Sequence, residues 1–240
     1  MTEFLQLLIS GLTIGSVYGL VAVGFCMVYN SSGVINFAQG EFVMLGGMMA
    51  ATVAASLGWA VPAALLFAVI GVTLIGLFAE KMTLGLSRKP DVLNLIIVTI
   101  GLAIMIKGLV MMIWGKFPKG LAAFSGEESL AVYGATITPQ ALWVIGTALL
   151  VMVAVGLFLK KSVTGTAMRA AAVDRETAAL MGAPVKRLRT VSFAAASGIG
   201  ALAGVVITPL TMTSYDHGTI LGLKGFCAAI IGGMGNVYGA

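Results

Sequence analysis

A chain of 240 residues in which 59% are hydrophobic and 10% are charged is not an ordinary soluble domain, where about 25% are charged. Its mean hydropathy of +1.06 implies more apolar surface than a soluble fold of this size can hide, so lipid is the solvent. The net charge of +5 does not mark a nucleic-acid binder. The basic residues fall in polar stretches between apolar runs, where they set the sidedness of membrane loops.

Crossing a bilayer as a helix takes about 20 consecutive, mostly apolar residues. The chain offers about 7 candidate segments. Residues 4–28 form the first. It has no basic stretch ahead of it and no small-residue cleavage site behind it, so it reads as a membrane helix and not a secretion signal. Residues 29–39 (Y-N-S-S-G-V-I-N-F-A-Q) are a polar break. Residues 40–56 are apolar, short and rich in Gly and Met. Residues 59–78 span, with Pro62 near the start, where its missing N–H does no harm. Residues 80–91 are a charged loop holding Lys81, Arg88 and Lys89, and residues 92–114 span again. The longer loop 115–138 balances Lys116 and Lys119 against Glu127 and Glu128. Residues 139–159 span, 160–189 are the longest charged segment, and 190–210 span. A short polar loop, 211–217, leads to a final Gly-rich apolar segment, 218–240. The written sequence stops straight after that run, so either the segment ends abruptly or the protein continues. The 32 glycines suit membrane helices, whose backbones approach closely through small residues. Gly198, Gly200 and Gly204 make such a face, and Gly200 and Gly204 form a G-x-x-x-G that leaves the packing partner open.

The two basic loops, 80–91 and 160–189, are separated by two spans and a neutral loop. The positive-inside rule places both in the cytoplasm and 115–138 outside. The N-terminus then lies outside if 40–56 crosses fully; a re-entrant segment would reverse that parity. Trp59, Trp114 and Trp143 lie near span ends, as an aromatic belt requires.

Within the second basic loop, residues 168–181 are rich in strong helix formers. Gly182 and Pro184 then give stop signals. Apolar Met168, Ala172, Ala179 and Met181 alternate with Arg169, Asp174, Arg175 and Glu176. Such a helix needs tertiary support. It either rests on its own bundle or docks a cytoplasmic partner protein.

The run E-T-A-A-L-M-G at 176–182 resembles the E-A-A-x-x-x-G loop of ABC importer permeases, with Thr177 in place of the second alanine. The runs G-V-I-N-F-A-Q-G-E-F at 33–42 and L-G-G at 45–47 are similar to the signature of branched-chain amino acid permeases of the LivH type. R-A-A-A-V-D at 169–174, G-L-K-G-F at 222–226 and I-I-G-G-M-G at 230–235 resemble further blocks of that family. The resemblance covers the whole chain and implies an all-α, polytopic helix bundle forming a single permease domain, 1–240, with a cytoplasmic coupling loop at 160–189. It implies that Met168, Arg169, Asp174, Glu176, Ala178 and Gly182 belong to a coupling helix seated in a cleft of an ATPase subunit. The implied partners are a second, LivM-like permease subunit, two ATPase subunits and a periplasmic amino-acid-binding protein. The implied location is the bacterial inner membrane and the implied cargo leucine, isoleucine or valine. Closely related permeases carry urea or short amides. Members of the family continue with further membrane helix.

No phosphate-binding loop, nucleophile elbow or zinc-type H-E-x-x-H occurs. There is one histidine, His217, and the cysteines, Cys26 and Cys227, sit in separate apolar runs. The sequence therefore argues against catalysis, a cofactor or a metal site, and any ATP hydrolysis belongs to another chain. Asn36, Gln39 and Glu41 stand at the polar break. Irregular backbone at membrane depth is tolerated where it is buried in protein or lines a cavity, and an ionisable group there points to function. These residues either line the translocation pathway or form a turn in which Asn36 caps the next helix. Lys107 reads as a snorkelling lysine, and Lys224 as snorkelling or paired with Asp216. The methionines 44, 48, 49, 105, 111 and 112 read as adaptable packing residues. Two rivals remain: an ion-coupled secondary transporter, which calls for paired intramembrane acids or inverted repeats, and a membrane scaffold that moves nothing.

Overall fold

A computed structural model gives the fold and describes residues 2–83, 92–126, 128, 130–132, 135–237 and 239. In chain order the helices are α1 (Thr2–Ser32), α2 (Gln39–Leu57), α3 (Val61–Thr83), α4 (Val92–Trp114), α5 (Pro139–Lys161), α6 (Val163–Val173), α7 (Arg175–Leu180), α8 (Val185–Thr211) and α9 (His217–Gly232). Strands β1 (Leu130–Val132) and β2 (Ala135–Ile137) form an antiparallel pair before α5, with Ala131 opposite Thr136. The sequence reading left this hairpin as loop.

Among the described residues, 6 helices are long and apolar enough to cross a membrane: α1 to α5 and α8. The seventh expected segment becomes α9, whose 16 residues reach roughly 24 Å at the helical rise. That is short of the ~30 Å hydrocarbon core.

The bundle has a buried centre of α1, α2 and α8 and a rim of α3, α4 and α5. On α4 the residues turned inward are Leu95, Thr99, Leu102, Ile106 and Val110. They are three or four positions apart, which is one narrow helical stripe. The other faces of α4 carry Leu93, Ile97 and Met112, all exposed, as a helix against lipid requires. Met105 and Met111 are exposed too, so of the expected core methionines only Met44 and Met48 are fully buried.

Close approach of α2 and α8 rests on small residues. A side chain at Gly46 would strike the Ala201 backbone, and one at Gly204 would strike the Val43 carbonyl. The G-x-x-x-G face of α8 thus packs on α2. Helix α9 buries Gly218, Gly222, Gly225 and Ala229. Gly218 and Gly222 lie against Gly40 of α2, and Gly225 against Val21 of α1.

Sidedness follows from contacts at the two ends of α1. Near its start, Gln6 accepts a hydrogen bond from the Thr136 N–H at 2.8 Å and donates to the Thr136 carbonyl at 3.1 Å. This ties α1 to the loop assigned outside. Beyond its other end, Gly33 lies against the Arg175 guanidinium of α7, in the segment assigned to the cytoplasm. Helix α2 therefore crosses, and the start of α1 faces outward. Trp114 donates to Thr52 at 2.6 Å and Trp143 to Ser125 at 2.8 Å, both on the outer side. The two basic loops share a side: Arg189, at the start of α8, meets Glu80 at the end of α3 at 2.6 Å. Arg88, Lys89 and Glu127 lie outside the described residues.

Three boundaries differ from the sequence reading. Helix α1 runs on through residues 29–32 because the side chains of Asn30, Ser31 and Ser32 find partners. The Ser31 and Ser32 hydroxyls donate to the Val28 carbonyl, and Asn30 donates to the Gly235 carbonyl at 2.9 Å. Helix α8 starts at Val185, inside the basic segment. The single helix expected over 168–181 is two helices, split at Asp174.

Candidate functional site

Two regions carry the residues singled out by sequence: the α6–α7 elbow and the break between α1 and α2. The elbow is built by capping. Ser162 accepts a hydrogen bond from the Gly165 N–H at 2.8 Å and starts α6. Asp174, in an extended conformation, ends α6 and starts α7. Its Oδ1 accepts from the N–H groups of Glu176 at 2.9 Å and Thr177 at 3.1 Å, and its Oδ2 from the Thr177 hydroxyl at 2.5 Å. Those bonds, the Thr177 hydroxyl first, hold the Asp174 carboxyl below the usual carboxylate range. Side-chain satisfaction of first-turn N–H groups is what an N-cap does, and here it is strong enough to break the helix. Helix α7 then ends in a Schellman turn. Gly182 has φ +89, its N–H bonds the Ala179 carbonyl, and the Ala183 N–H bonds the Ala178 carbonyl, both at 3.0 Å.

The elbow has an inner and an outer side. Met168 and Ala178 are buried, and Met168 lies on Ser192 of α8. Both fasten the elbow to the bundle, and Ala178 also lines the open groove beside Val173 and Gly182. Arg169, Asp174, Glu176 and Gly182 are exposed. Beside them Val163, Val173, Leu180 and Met181 are 88%, 90%, 88% and 85% exposed, on helices outside the membrane spans. Sequence reading missed the first three of these. Their apolar character beyond the membrane was the available signal.

Arg175 points the other way. Its Nη2 lies 3.2 Å from where a Cβ on Gly33 would stand, and its Nε is buried without a protein partner. Burial first, then the charge of Arg189, pulls its pKa below the ordinary arginine range.

The break itself spans residues 33–38 and climbs back into the membrane. Helix α2 begins beside Gly24 of α1, where any side chain would strike the Gln39 amide. That level is roughly 12 Å above the end of α1 at the helical rise. The exposed backbone of such a segment needs partners within the protein. The Phe37 N–H finds the Thr99 hydroxyl at 3.3 Å, and the Ala38 N–H finds Asn36 Oδ1 at 3.1 Å. Gln39 donates to the Ala196 carbonyl at 2.9 Å. Asn36, Gln39 and Glu41 are all buried. Asn36 and Gln39 therefore hold the turn together. Glu41 accepts from the Thr219 hydroxyl at 3.0 Å.

The two lysines singled out by sequence each lie over a tyrosine ring. The Lys107 ammonium sits 5.6 Å from the Tyr215 ring centroid, and that of Lys224 5.4 Å from the Tyr18 centroid. Lys224 does not pair with Asp216, which instead accepts from the Ser214 hydroxyl at 2.6 Å. That bond is the main cause of the lowered Asp216 pKa. Among the described residues no group of three or more His, Cys, Asp or Glu stands together as a metal site would require.

A multi-pass bundle with a re-entrant break at its centre and a capped helical elbow on its cytoplasmic side defines a membrane transport subunit. The family described as branched-chain amino acid transport system / permease component matches residues 7–240, and the chain belongs to it; it is a permease subunit of an ABC importer. It is 31% identical over 252 residues to the high-affinity branched-chain amino acid transport system permease protein LivH of Escherichia coli K12. That alignment covers 99% of this chain and 81% of LivH. It is likewise 31% identical over 253 residues to the permease protein BraD of Pseudomonas aeruginosa, covering 99% of this chain and 82% of BraD. No solved structure matches the chain.

Proposed function

We propose that this subunit passes branched-chain amino acids across the bacterial inner membrane, driven by ATP that separate ATPase subunits hydrolyse. A second, LivM-like permease subunit completes the pathway, and a periplasmic binding protein delivers leucine, isoleucine or valine. The chain itself is non-catalytic. The observation that carries this reading is the uncovered apolar surface of the elbow, where Val163, Val173 and Met181 line one groove and Leu180 stands exposed on α7. Lipid does not cover it, and four large apolar side chains in water call for a partner. Charged Arg169 and Glu176 rim the face and orient that partner. Arg169, Asp174, Glu176 and Gly182 belong to the coupling surface, and Met168 and Ala178 transmit its movement to α8.

In mechanism, closure of the ATPase pair displaces α6 and α7. Met168 passes that displacement to α8, and Arg175 passes it to the break at Gly33. The conformational equilibrium shifts by as much as ATP binds one state better than the other.

The test is purification of the tagged protein from its host in mild detergent, with co-purifying chains identified and uptake measured after reconstitution. ATPase subunits are expected to accompany the wild type and to be lost in L180E and E176K. A protein that purifies alone and moves leucine without ATP is an ion-coupled transporter, and the importer reading falls. ATP-driven uptake of urea or a short amide in place of leucine would change the cargo and keep the mechanism.

A further inference from the structure

Helices α1, α2, α4 and α9 enclose a cavity of about 270 Å³. Phe25, Phe37, Ile104 and Leu223 make its apolar wall. Glu41, Lys107 and Thr219 are its polar side chains.

Both charges are half satisfied. Glu41 is 2% exposed, its Oε1 takes the Thr219 hydroxyl, and its Oε2 is buried with no protein partner. Gly218 stands against that oxygen, and a side chain there would meet Oε2 at 2.5 Å. Lys107 makes no ion pair with Glu41; its ammonium rests over Tyr215. A buried carboxylate oxygen without a partner is costly, and a ring face replaces only part of an ammonium's hydration. Two such groups of opposite sign on one cavity call for a ligand carrying both charges. A simple cation or anion neutralises one of them, and an uncharged amide, though it can hydrogen-bond to both, neutralises neither. The volume lies just under the ≈300–1,000 Å³ of most small-molecule sites, which suits one small amino acid and excludes a peptide.

We propose that this cavity is a transit site for an aliphatic α-amino acid zwitterion, with Glu41 receiving the ammonium, Lys107 the carboxylate and the apolar wall the side chain. The proposal rests on the substrate reading above and assigns that substrate its place. Ile104 and Leu223, exposed at the rim, face the second permease subunit, because a charged cavity does not open onto hydrocarbon.

The experiment uses the whole importer, with its ATPase subunits and binding protein, in proteoliposomes. Leucine uptake is expected to fall about tenfold or more in E41Q and in K107M, the scale of losing a hydrogen bond to a charged group. K224M, whose lysine lies over Tyr18 outside the cavity, keeps wild-type uptake. Because a misfolded subunit also loses uptake, a second readout decides. In an I104C variant made in a C227S background, leucine is expected to slow maleimide modification at position 104. 4-Methylpentanoate, which is leucine without its ammonium, is expected to give no protection. Adding E41Q should abolish protection by leucine while ATPase subunits still co-purify. Wild-type uptake in E41Q, or normal uptake with no protection at 104, overturns the site and leaves the importer reading standing. A wild-type importer that carries no branched-chain amino acid overturns both.

Discussion

Gly182 and Gly58 form a matched pair that isolates the coupling role of the elbow. Both are in the left-handed region, at φ +89 and +63, and a Cβ at either meets nothing within 4 Å. A substitution to alanine therefore acts through backbone conformation alone. That conformation costs an L-residue about 1–2 kcal/mol, and about 1.4 kcal/mol is tenfold in an equilibrium. G58A places the strain at the outer end of α2, where the helix cap is. G182A places it on the Schellman turn that joins α7 to α8. Helix α7 has 6 residues and little helical stability of its own, so a tenfold more frequent opening of that turn loosens the elbow. The two variants should lower the thermal stability of the purified complex by similar amounts. Leucine imported per ATP hydrolysed, measured in proteoliposomes, should fall severalfold in G182A and stay at the wild-type ratio in G58A. Equal losses of coupling in both, or full coupling in G182A, would refute the assignment of the elbow.

The Glu80–Arg189 pair is nearly buried on the glutamate side, while the Arg189 side chain is 23% exposed. E80A should cost about 2–3 kcal/mol, less than a fully buried pair, and E80A/R189M should melt higher than E80A in the same detergent. G204L drives a side chain into the Val43 carbonyl. It should destabilise by at least about 3 kcal/mol and prevent recovery of folded protein, whereas G11L, with open space around it, should purify normally. Asp174 has a depressed native pKa, so its capping contribution is complete above the unfolded value of about 3.9. It is lost as pH falls through the lower native value. Protection of the Glu176 and Thr177 amides, relative to the intrinsic exchange rate at each pH, should fall over that acid window in the wild type and already be low at neutral pH in D174A.

Most of the bundle was legible because lipid imposes a simple rule on composition. Six of the apolar runs are spanning helices, and the two basic loops meet on one side through Glu80 and Arg189. What the sequence hid were effects of pairing across distance. Residues 29–32 look like loop until Val28 and Gly235 are seen to take their hydrogen bonds. Asp174 looks like a surface charge within a helix until it caps the next one. Nothing local to Lys107 says that Tyr215 lies beside its ammonium. At the break, Glu41 was visible as an intramembrane acid. Its juxtaposition with Thr219 needs α9, 178 residues further on.

The contact between Gln6 and Thr136, which holds the start of α1 on the outer face, bears on how the protein is oriented. Residues 1–80 carry no lysine or arginine, and Lys81 is the first in the given sequence. Helices α1 and α2 therefore have no cationic loop of their own, and their orientation rests on contacts such as this one and on the basic loops that follow.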